Sequence, residues 1–268
     1  MSDRQQFLDI AVEAARIAGR FQQYRFESVL DVTMKGDKNL VTEVDQESER
    51  LIVQHLLGSF PDHSIVAEEG EYPRREVPFR WIIDPLDGTT NYAHGFPWFC
   101  VSIGLESAGE LVAGVIYNPM HDELFTATRG GGAFLNGHRL HVSLRCPLQN
   151  TLLGTGFPYD CASDPANNFD NFIAFQKTAR GIRRAGAAAL DLAYVAAGRL
   201  DGFWELKLKP WDVAAGVLLV REAGGTVTAF DGTDYDIFNG CIVASNGLIH
   251  DEMVAMLTTT DHGAPHEP

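Results

Sequence analysis

The stretch Trp81-Ile82-Ile83-Asp84-Pro85-Leu86-Asp87-Gly88-Thr89-Thr90-Asn91 ends an apolar run in two carboxylates and a glycine-threonine turn. The residues from Trp81 to Ile83 have the bulk and β-branching of a buried strand. Because Pro85 fixes φ and lacks an N–H donor, we predict that the strand stops after Asp84. This prediction places Asp84 at a strand end, with Asp87 one tight turn later.

The residues that follow Asp87 favour an anion site. Gly88 lets the backbone come close to a ligand, and the N–H groups of Gly88, Thr89 and Thr90 would open a helix whose positive end faces the anion. Two hard carboxylates beside such a position are typical of Mg²⁺ that carries a phosphate. The alternative is an ordinary turn with an Asp cap, since Asp-Gly and Asp-Pro are common loop dipeptides.

The charge of the chain argues against nucleic acid and membrane surfaces as partners. The 268 residues carry a net charge of −15, and 45% of them are hydrophobic. Such a chain can bury a large core. Binding to nucleic acid or to anionic lipid needs clusters of Lys and Arg that neutralise phosphates, which a negative surface opposes. A negative enzyme that binds phosphate has to recruit a metal ion.

The cysteines and the N-terminus indicate an intracellular protein without a zinc site. Cys100, Cys146, Cys161 and Cys241 show no Cys-x-x-Cys or Cys/His spacing, so we expect free, mostly buried thiols. The start of the chain has no apolar signal core, and its apolar stretches are far shorter than the ~20 residues of a membrane span. We therefore expect a cytoplasmic protein.

The spacing of apolar residues predicts alternating helices and strands. An amphipathic helix is expected from Phe7 to Phe21. Further helices are predicted at 47–57, 171–178, 187–197 and 212–223, and strands at 64–67, 101–105, 112–117, 124–127, 202–206 and near 227 and 242. The glycines at 130–132 lack phosphate-loop spacing and predict a hairpin turn. A mobile loop is expected at 158–168 and a frayed tail at 258–268.

Four segments together resemble one family. The string around Asp84 resembles the first signature of the inositol monophosphatase family, the Mg²⁺-dependent, lithium-sensitive phosphomonoesterases. The segment Trp211-Asp212-Val213-Ala214-Ala215-Gly216, continuing to Gly225, is similar to the second signature. Ala67-Glu68-Glu69-Gly70 resembles the acidic pair of the family. Lys35 with Asn39-Leu40-Val41-Thr42-Glu43-Val44-Asp45 resembles the N-terminal segment, although Asn39 replaces an aspartate of some members.

The resemblance implies a fold and an assembly. The family has an α/β fold, a layered α/β/α/β/α sandwich shared with fructose bisphosphatases, usually as a homodimer. We expect one domain over 1–268, with an N-terminal half at about 1–150, a C-terminal half at about 151–257 and a tail at 258–268. The site would lie where the halves meet.

The resemblance also implies ligands for two or three Mg²⁺ ions. Glu68, Asp84 and the carbonyl of Leu86 would hold the first ion, and Asp84, Asp87 and Asp212 the second. Glu68 and waters would remain for a third. Thr89 and Asp45 resemble a pair that activates the attacking water. The alternatives are a helix N-cap for Thr89 and a helix cap for Asp45.

Substrate contacts come from the same comparison of motifs. The phosphate would meet Asp87, Gly88, Thr89 and Asp212. Gly186, Ala187, Ala188 and Glu205 match positions that meet inositol hydroxyls, through backbone and carboxylate respectively. The alternative for Glu205 is an exposed charge at a strand end.

Three functions follow from these residues. The first is a Mg²⁺-dependent phosphomonoesterase acting on myo-inositol monophosphate or another small polyol phosphate. The second is a phosphatase of the same fold acting on fructose 1,6-bisphosphate, histidinol phosphate or a 3′-phosphonucleotide. The third is a regulatory binding protein that retains the fold.

Overall fold

The computed structural model describes residues 3–26, 32–34, 40–73, 75 and 77–259. Lys35 and Asn39, which contribute to the family resemblance, lie outside the described residues. Most of the predicted tail does as well. Residues 258 and 259 were expected to fray, but they form the end of a helix that includes Leu257, a fully buried residue of the core.

The chain alternates helices and strands over its whole described length. The helices are α1 Asp3–Arg25, α2 Glu43–Ser59, α3 Thr89–Ala93, α4 Phe169–Thr178, α5 Ala188–Ala196, α6 Pro210–Glu222 and α7 His250–Thr259. The strands are β1 Val32–Met34, β2 Leu40–Thr42, β3 Ser64–Ala67, β4 Phe79–Asp87, β5 Cys100–Ser107, β6 Glu110–Asn118, β7 Glu123–Thr128, β8 Gly132–Leu135, β9 His138–Arg139, β10 Leu152–Thr155, β11 Gly181–Arg183, β12 Gly202–Glu205, β13 Thr226–Thr228 and β14 Ile242–Ser245.

The first layers consist of two helices on a large sheet. Seven of the described strands pair in the order β3-β4-β5-β6-β7-β8-β9, parallel between β3 and β4 and antiparallel beyond. Helices α1 and α2 cover one face, where Ala14, Ala18 and Leu56 are fully buried in one cluster with Trp81 and Val115. Alanines let α1 lie close to the sheet, and burial of a side chain such as Leu56 contributes about 2 kcal/mol.

Helices α5 and α6 form the central layer between two sheets. Leu190 and Leu192 of α5 and Leu219 of α6 are fully buried with Ile116 of β6. A helix that is buried on all sides has to be apolar around most of its circumference. The residues of α6 from Val213 to Val220 are all apolar and buried. This layer joins the two sheets into one core.

The last layers complete the sandwich. Five of the described strands pair in the order β11-β10-β12-β14-β13, with parallel pairing around β10 and antiparallel pairing around β14. Helices α4 and α7 cover its outer face, where the rings of Phe175 and Trp204 lie 4.1 Å apart beside Met253. The predicted α/β/α/β/α sandwich is confirmed.

The strand that carries Asp84 does not stop where the proline predicted. Strand β4 continues through Pro85 to Asp87. Its pairing with β5 is irregular between Asp84, opposite Ser102, and Asp87, opposite Cys100. A proline is tolerated at such a bulge because the missing N–H has no ladder partner to satisfy there. Asp84 therefore lies inside the strand and not at its end.

Several smaller expectations need correction. Helix α2 begins at Glu43, four residues before the predicted start, because Thr42 caps it and accepts a hydrogen bond from the N–H of Val44. Only Cys100 is buried among the cysteines; Cys146 is exposed and the other two are partly buried.

None of the helices in the described part of the chain combines the length and apolar composition of a membrane crossing.

The glycine-rich segment 130–132 is a turn between β7 and β8, as predicted. The carboxylate of Glu222, at the end of α6, accepts hydrogen bonds from the N–H groups of Gly130 at 2.7 Å and Gly132 at 2.8 Å. Backbone N–H groups that could hold an anion are thus already satisfied by a side chain of the same protein.

Candidate active site

Two carboxylates lie at the bulge of β4. Asp84 is 2% exposed, and its Oδ1 accepts the N–H of Leu86 at 3.0 Å. Oδ2 of Asp87 accepts the N–H of Ala189 at 2.7 Å. Since Ala189 belongs to the first turn of α5, the partial positive charge of that helix terminus faces Asp87. The strand and a helix of the central layer therefore fix the two carboxylates together.

The third carboxylate, Asp212, comes from the first turn of α6. Pro210 starts that helix, which is a favoured position because proline has no N–H to satisfy there. Oδ2 of Asp212 accepts the N–H of Lys209 at 2.7 Å. Glu68, the fourth member, directly follows β3. We call Glu68, Asp84, Asp87 and Asp212 the carboxylate cluster.

The members of the carboxylate cluster act on one another electrostatically. Burial raises the pKa of Asp84 well above its usual value, and the charges of Glu68, Asp87 and Asp212 raise it further. Burial raises the pKa of Asp87 to about 7 and that of Asp212 to about 7. Each carboxyl group is costly to ionise because water is excluded and the neighbouring groups are also acidic. The charge of Lys209 acts in the opposite direction on Asp212, but its effect is smaller than that of burial and of the charge of Asp87.

The donor set fits a hard divalent cation in its chemistry. The described residues hold no group of three or more His, Cys, Asp or Glu side chains that already meets the spacing of a metal cage. Carboxylates and a backbone carbonyl are nevertheless the oxygen ligands that Mg²⁺ takes, and a divalent ion would relieve their mutual repulsion. Glu68, Asp84, Asp87 and Asp212, with the carbonyl of Leu86, could hold such an ion.

Thr89 and Asp45 are brought together from distant parts of the chain. The hydroxyl of Thr89 donates to Oδ1 of Asp45 at 2.7 Å and lies 3.1 Å from the carbonyl oxygen of Leu86. Oδ2 of Asp45 accepts from the N–H of Thr42 at 2.9 Å and from its hydroxyl at 2.6 Å. Asp45 is 1% exposed, and burial raises its pKa. Asp45 thus belongs to the N-terminal capping box of α2 while it also orients Thr89.

The residues on either side of Thr89 connect the first sheet to the segment that precedes α5. Gly88, with φ of 99°, precedes the five-residue helix α3, and a Cβ on it would come 2.8 Å from the carbonyl oxygen of Trp98. Only glycine satisfies both conditions. The side-chain amide of Asn91 donates to the carbonyls of Trp98 at 2.8 Å, Ala185 at 2.9 Å and Gly186 at 3.3 Å. Asn91, the last residue of the first signature, therefore fixes the position of the segment before α5.

That segment presents the start of α5 to the site. Gly186 has φ of 84°, Ala187 is the N-cap and Ala188 is the first helical residue. The backbone N–H groups of Ala188 and Ala189 donate to Asp87, which opposes the rise of its pKa. Sequence reasoning placed these residues at the site but missed Asn91, even though Asn91 ends the first signature.

Glu205 ends β12 and is partly buried. Burial raises its pKa to about 8, with Asp212 and Asp87 as the next causes. A Cβ added to Gly156 would come 2.1 Å from Oε1 and 2.3 Å from Oε2 of Glu205, so the carboxylate lies directly over the glycine backbone. The alternative of a solvated strand-end charge is wrong for this environment. Asp191 of α5, 2% exposed, is a second buried carboxyl whose pKa is raised by burial and then by Glu205.

Tyr159 lies in the connection between β10 and α4, which we call the 156–168 loop. Burial raises the pKa of Tyr159 to about 12, and Glu68, Asp87, Asp212 and Asp84 follow as causes. Its phenol group is therefore within electrostatic range of the whole carboxylate cluster. The composition of the loop predicted proximity to the site, but no motif singled out Tyr159.

Comparison with known proteins identifies the family. A model of the inositol monophosphatase family matches residues 3–261. The protein named inositol-1-monophosphatase of Synechocystis sp. is 45% identical over 261 residues, which cover 97% of this chain and 91% of the relative. The protein named Nus factor SuhB of Pseudomonas aeruginosa is 47% identical over 273 residues, 98% of each chain. A solved inositol monophosphatase structure from Anabaena (Nostoc) sp. matches with a TM-score of 0.87 and 46% identity over 96% of each chain.

The chain belongs to the inositol monophosphatase family. The prediction of an enzyme of the phosphatase class is confirmed at the level of that family.

Proposed function

We propose that the protein is a Mg²⁺-dependent phosphomonoesterase that hydrolyses myo-inositol monophosphate to inositol and phosphate. The observation that supports it most is the convergence of carboxyl groups from the first sheet, Asp84 and Asp87, and from the central helix layer, Asp212, which act on one another electrostatically. A phosphomonoester dianion repels a nucleophile, so its hydrolysis needs positive charge held beside it. The carboxylate cluster would supply that positive charge by binding a metal ion.

In this proposal the carboxylate cluster and the carbonyl of Leu86 hold two or three Mg²⁺ ions. The ions would neutralise the phosphate and the leaving oxygen and lower the pKa of water. Glu68 would contribute to catalysis by also holding the waters of the site. Asp87, Gly88, Thr89 and Asp212 would lie around the phosphate.

Thr89 and Asp45 are assigned to the attacking water. Because the hydroxyl of Thr89 donates to Asp45 at 2.7 Å, its lone pairs are free to accept a hydrogen bond from water. As the water oxygen forms a bond to phosphorus, its proton passes to Thr89 while the proton of Thr89 passes to Asp45. The raised pKa of Asp45 favours that transfer. The phosphorus–oxygen bond to the polyol then breaks, the released oxygen takes a proton from a solvent water, and Asp45 returns its proton to the hydroxide that results.

The polyol would be held on the opposite side of the phosphate. Glu205 would accept a hydrogen bond from a polyol hydroxyl, and the backbone of Gly186, Ala187 and Ala188 would meet others. A carboxylate in this position disfavours a second phosphate, since like charges a few ångströms apart repel by about 1 to 4 kcal/mol at surface-like dielectric. This argument prefers a polyol monophosphate over fructose 1,6-bisphosphate.

The test is phosphate release from myo-inositol 1-phosphate, fructose 1,6-bisphosphate, histidinol phosphate and a 3′-phosphonucleotide, with Mg²⁺ and after chelation. We expect the highest kcat/KM for myo-inositol 1-phosphate and no turnover without divalent metal. Higher kcat/KM for the bisphosphate would transfer the assignment to a phosphatase of that substrate class.

The resemblance also supports a homodimer, a cytoplasmic location and inhibition by lithium. Light scattering on the purified protein measures the oligomeric state. Turnover in increasing LiCl, with NaCl at equal concentration as control, measures inhibition by lithium. A monomeric mass or equal inhibition by both salts would contradict the respective expectation.

A binding role is the second candidate because relatives as similar as the phosphatases carry the name Nus factor SuhB. In that role the carboxylate cluster would be dispensable. A strain that carries only the Asp212→Asn variant decides between the two: normal growth and transcription with no phosphatase activity would favour the binding role.

A further inference from the structure

The 156–168 loop begins and ends on the same anchor. The side-chain amide of Asn168, 3% exposed, donates to Oγ1 of Thr155 at 3.0 Å and to the carbonyl of Gly156 at 2.6 Å. Its oxygen accepts the indole N–H of Trp204 at 2.9 Å. Trp204 precedes Glu205 on β12, so the base of the loop is fixed to the strand that carries Glu205.

A lysine ties the tip of the loop to the same region. Nζ of Lys207 lies 2.9 Å from Oδ1 and 2.8 Å from Oδ2 of Asp160, and 2.9 Å from Oδ2 of Asp164. Lys207 stands between Glu205 and Asp212 in sequence, with φ of 62°. A non-glycine residue in the left-handed region is costly unless its surroundings hold it there. Two ion pairs from one ammonium group provide such a restraint.

Tyr159 is the residue that this arrangement directs to the site. It lies in the loop between Gly156, whose backbone lies against the carboxylate of Glu205, and Asp160, which pairs with Lys207. The acidic groups of the carboxylate cluster add to the rise of the pKa of Tyr159, in agreement with this position. The residue is 56% exposed, so it is accessible to a ligand. Among acidic groups the phenol remains protonated and can donate one hydrogen bond.

We propose that Tyr159 is a specificity-determining residue that contacts the alcohol part of the substrate, and that Lys207 is the positioning residue that holds it there. The inference rests on the proposed phosphatase function. Glu205, accommodated over Gly156, offers an acceptor, and Tyr159 offers a donor and an apolar ring face. That combination selects a ring alcohol that carries both C–H and O–H groups, in preference to a simple aryl or alkyl ester.

The experiment compares kcat/KM for myo-inositol 1-phosphate with kcat/KM for 4-nitrophenyl phosphate, whose leaving group carries no hydroxyl besides the ester oxygen. In Tyr159→Phe we expect the ratio of the two constants to fall about 3- to 10-fold, the scale of one lost hydrogen bond. Lys207→Met should lower the ratio in the same direction, mainly by raising KM for the inositol ester, and Lys207→Arg should restore it because a guanidinium can pair with both aspartates.

Matched controls are available elsewhere on the chain. Tyr24→Phe changes a tyrosine of α1 that is 83% exposed, and Lys177→Met changes a lysine in the last turn of α4. Both should keep the wild-type ratio. A ratio that does not move in Tyr159→Phe, or a Lys207→Met variant that loses thermal stability without a change in the ratio, would overturn the inference. A wild-type protein that hydrolyses neither ester would instead overturn the proposed function itself.

Discussion

The carboxylate cluster and the Glu205 side of the site, by which we mean Gly156, Tyr159, Glu205 and Lys207, are built by different means. In the cluster, backbone N–H groups of the sheet and of two helix starts hold Asp84, Asp87 and Asp212. On the Glu205 side the tyrosine lies in a loop that is tied by side-chain ion pairs. Backbone bonds fix atoms through the core, whereas an ion pair at the surface is exchangeable and weak. The charged chemistry is thus fixed by the fold, and the choice of alcohol is left to replaceable side chains.

The strongest test of this contrast removes one charge from the cluster. Asp87→Asn and Asp212→Asn should each lower kcat by at least about 10³-fold, because several kcal/mol of charge stabilisation depend on the metal site. Both variants retain a side-chain oxygen that accepts the N–H of Ala189 or Lys209. At pH 5, where the folded wild type keeps both carboxyl groups protonated, the melting temperature should therefore stay close to that of Asp251→Asn, an exposed control on α7. Near-normal turnover at saturating Mg²⁺ in either variant would remove that residue from the site.

The second test concerns Thr89, whose hydroxyl contacts Asp45 and the carbonyl of Leu86. Thr89→Ala should lower kcat by about 10²-fold, the scale of lost help from a general base, with little change in the Mg²⁺ concentration for half-maximal activity. Thr178→Ala, whose hydroxyl bonds only within α4, serves as the control. A variant that fails in Mg²⁺ binding and recovers full turnover at high Mg²⁺ would assign Thr89 to the metal and not to the water.

The third test measures how the affinity of the carboxylate cluster for Mg²⁺ depends on pH. Asp87 and Asp212, each with a pKa of about 7, have to lose their protons to bind metal, so the dissociation constant for Mg²⁺ should be at least about 10-fold higher at pH 6 than at pH 8. Titration calorimetry at both values measures it. A constant independent of pH would mean that metal binds away from these carboxyl groups.

The same pKa shifts determine whether the metal-free protein becomes more or less stable as pH rises. The pKa values of Asp87 and Asp212 rise from 3.8 to about 7 on folding, so the folded protein binds protons more tightly than the unfolded chain. The resulting stabilisation is complete below pH 3.8 and is lost as pH rises through about 7. In chelator we expect this contribution to the free energy of unfolding to fall over that window, and Asp87→Asn to flatten the fall. An unchanged slope in the variant would contradict the assignment.

The smallest effect is expected on the Glu205 side. Glu205→Gln should shift the ratio of kcat/KM for myo-inositol 1-phosphate over fructose 1,6-bisphosphate toward the bisphosphate by about 3- to 10-fold, because a neutral amide accepts a weaker hydrogen bond from the polyol and no longer repels a second phosphate. Gly156→Ala should shift it in the same direction, because the added Cβ displaces the carboxylate. Gly58→Ala is the matched control, since a Cβ there meets no atom within 4 Å. A ratio that stays constant in both site variants would make Glu205 irrelevant to substrate choice.

Apolar periodicity predicted the main helices and strands, whereas the order of the layers was implied by the resemblance to the family. Prediction from the sequence failed locally where tertiary contacts decide. Pro85 is tolerated inside β4 by a bulge that involves the neighbouring strand. The early start of α2 has a local cause that was overlooked, since Thr42 and Asp45 form its capping box. The resemblance proposed Glu205 as a substrate contact, but its position against the Gly156 backbone could not be predicted, because the two residues lie 49 positions apart in the sequence. Tyr159 carried no signal because a tyrosine in a polar loop has no distinctive pattern.

The hydrogen bond from Ala189 to Asp87 makes one carboxylate serve both the sheet and the central helix layer. Any cation that binds Asp87 in the folded state adds its binding free energy to folding, by RT ln(1 + [L]/Kd). That energy acts where β4 meets α5, so metal should raise hydrogen-exchange protection of the first turn of α5 as well as that of the strand. The local opening of that helix start and the release of the ion become a single thermodynamic event, and the metal content of the surroundings sets how often it occurs.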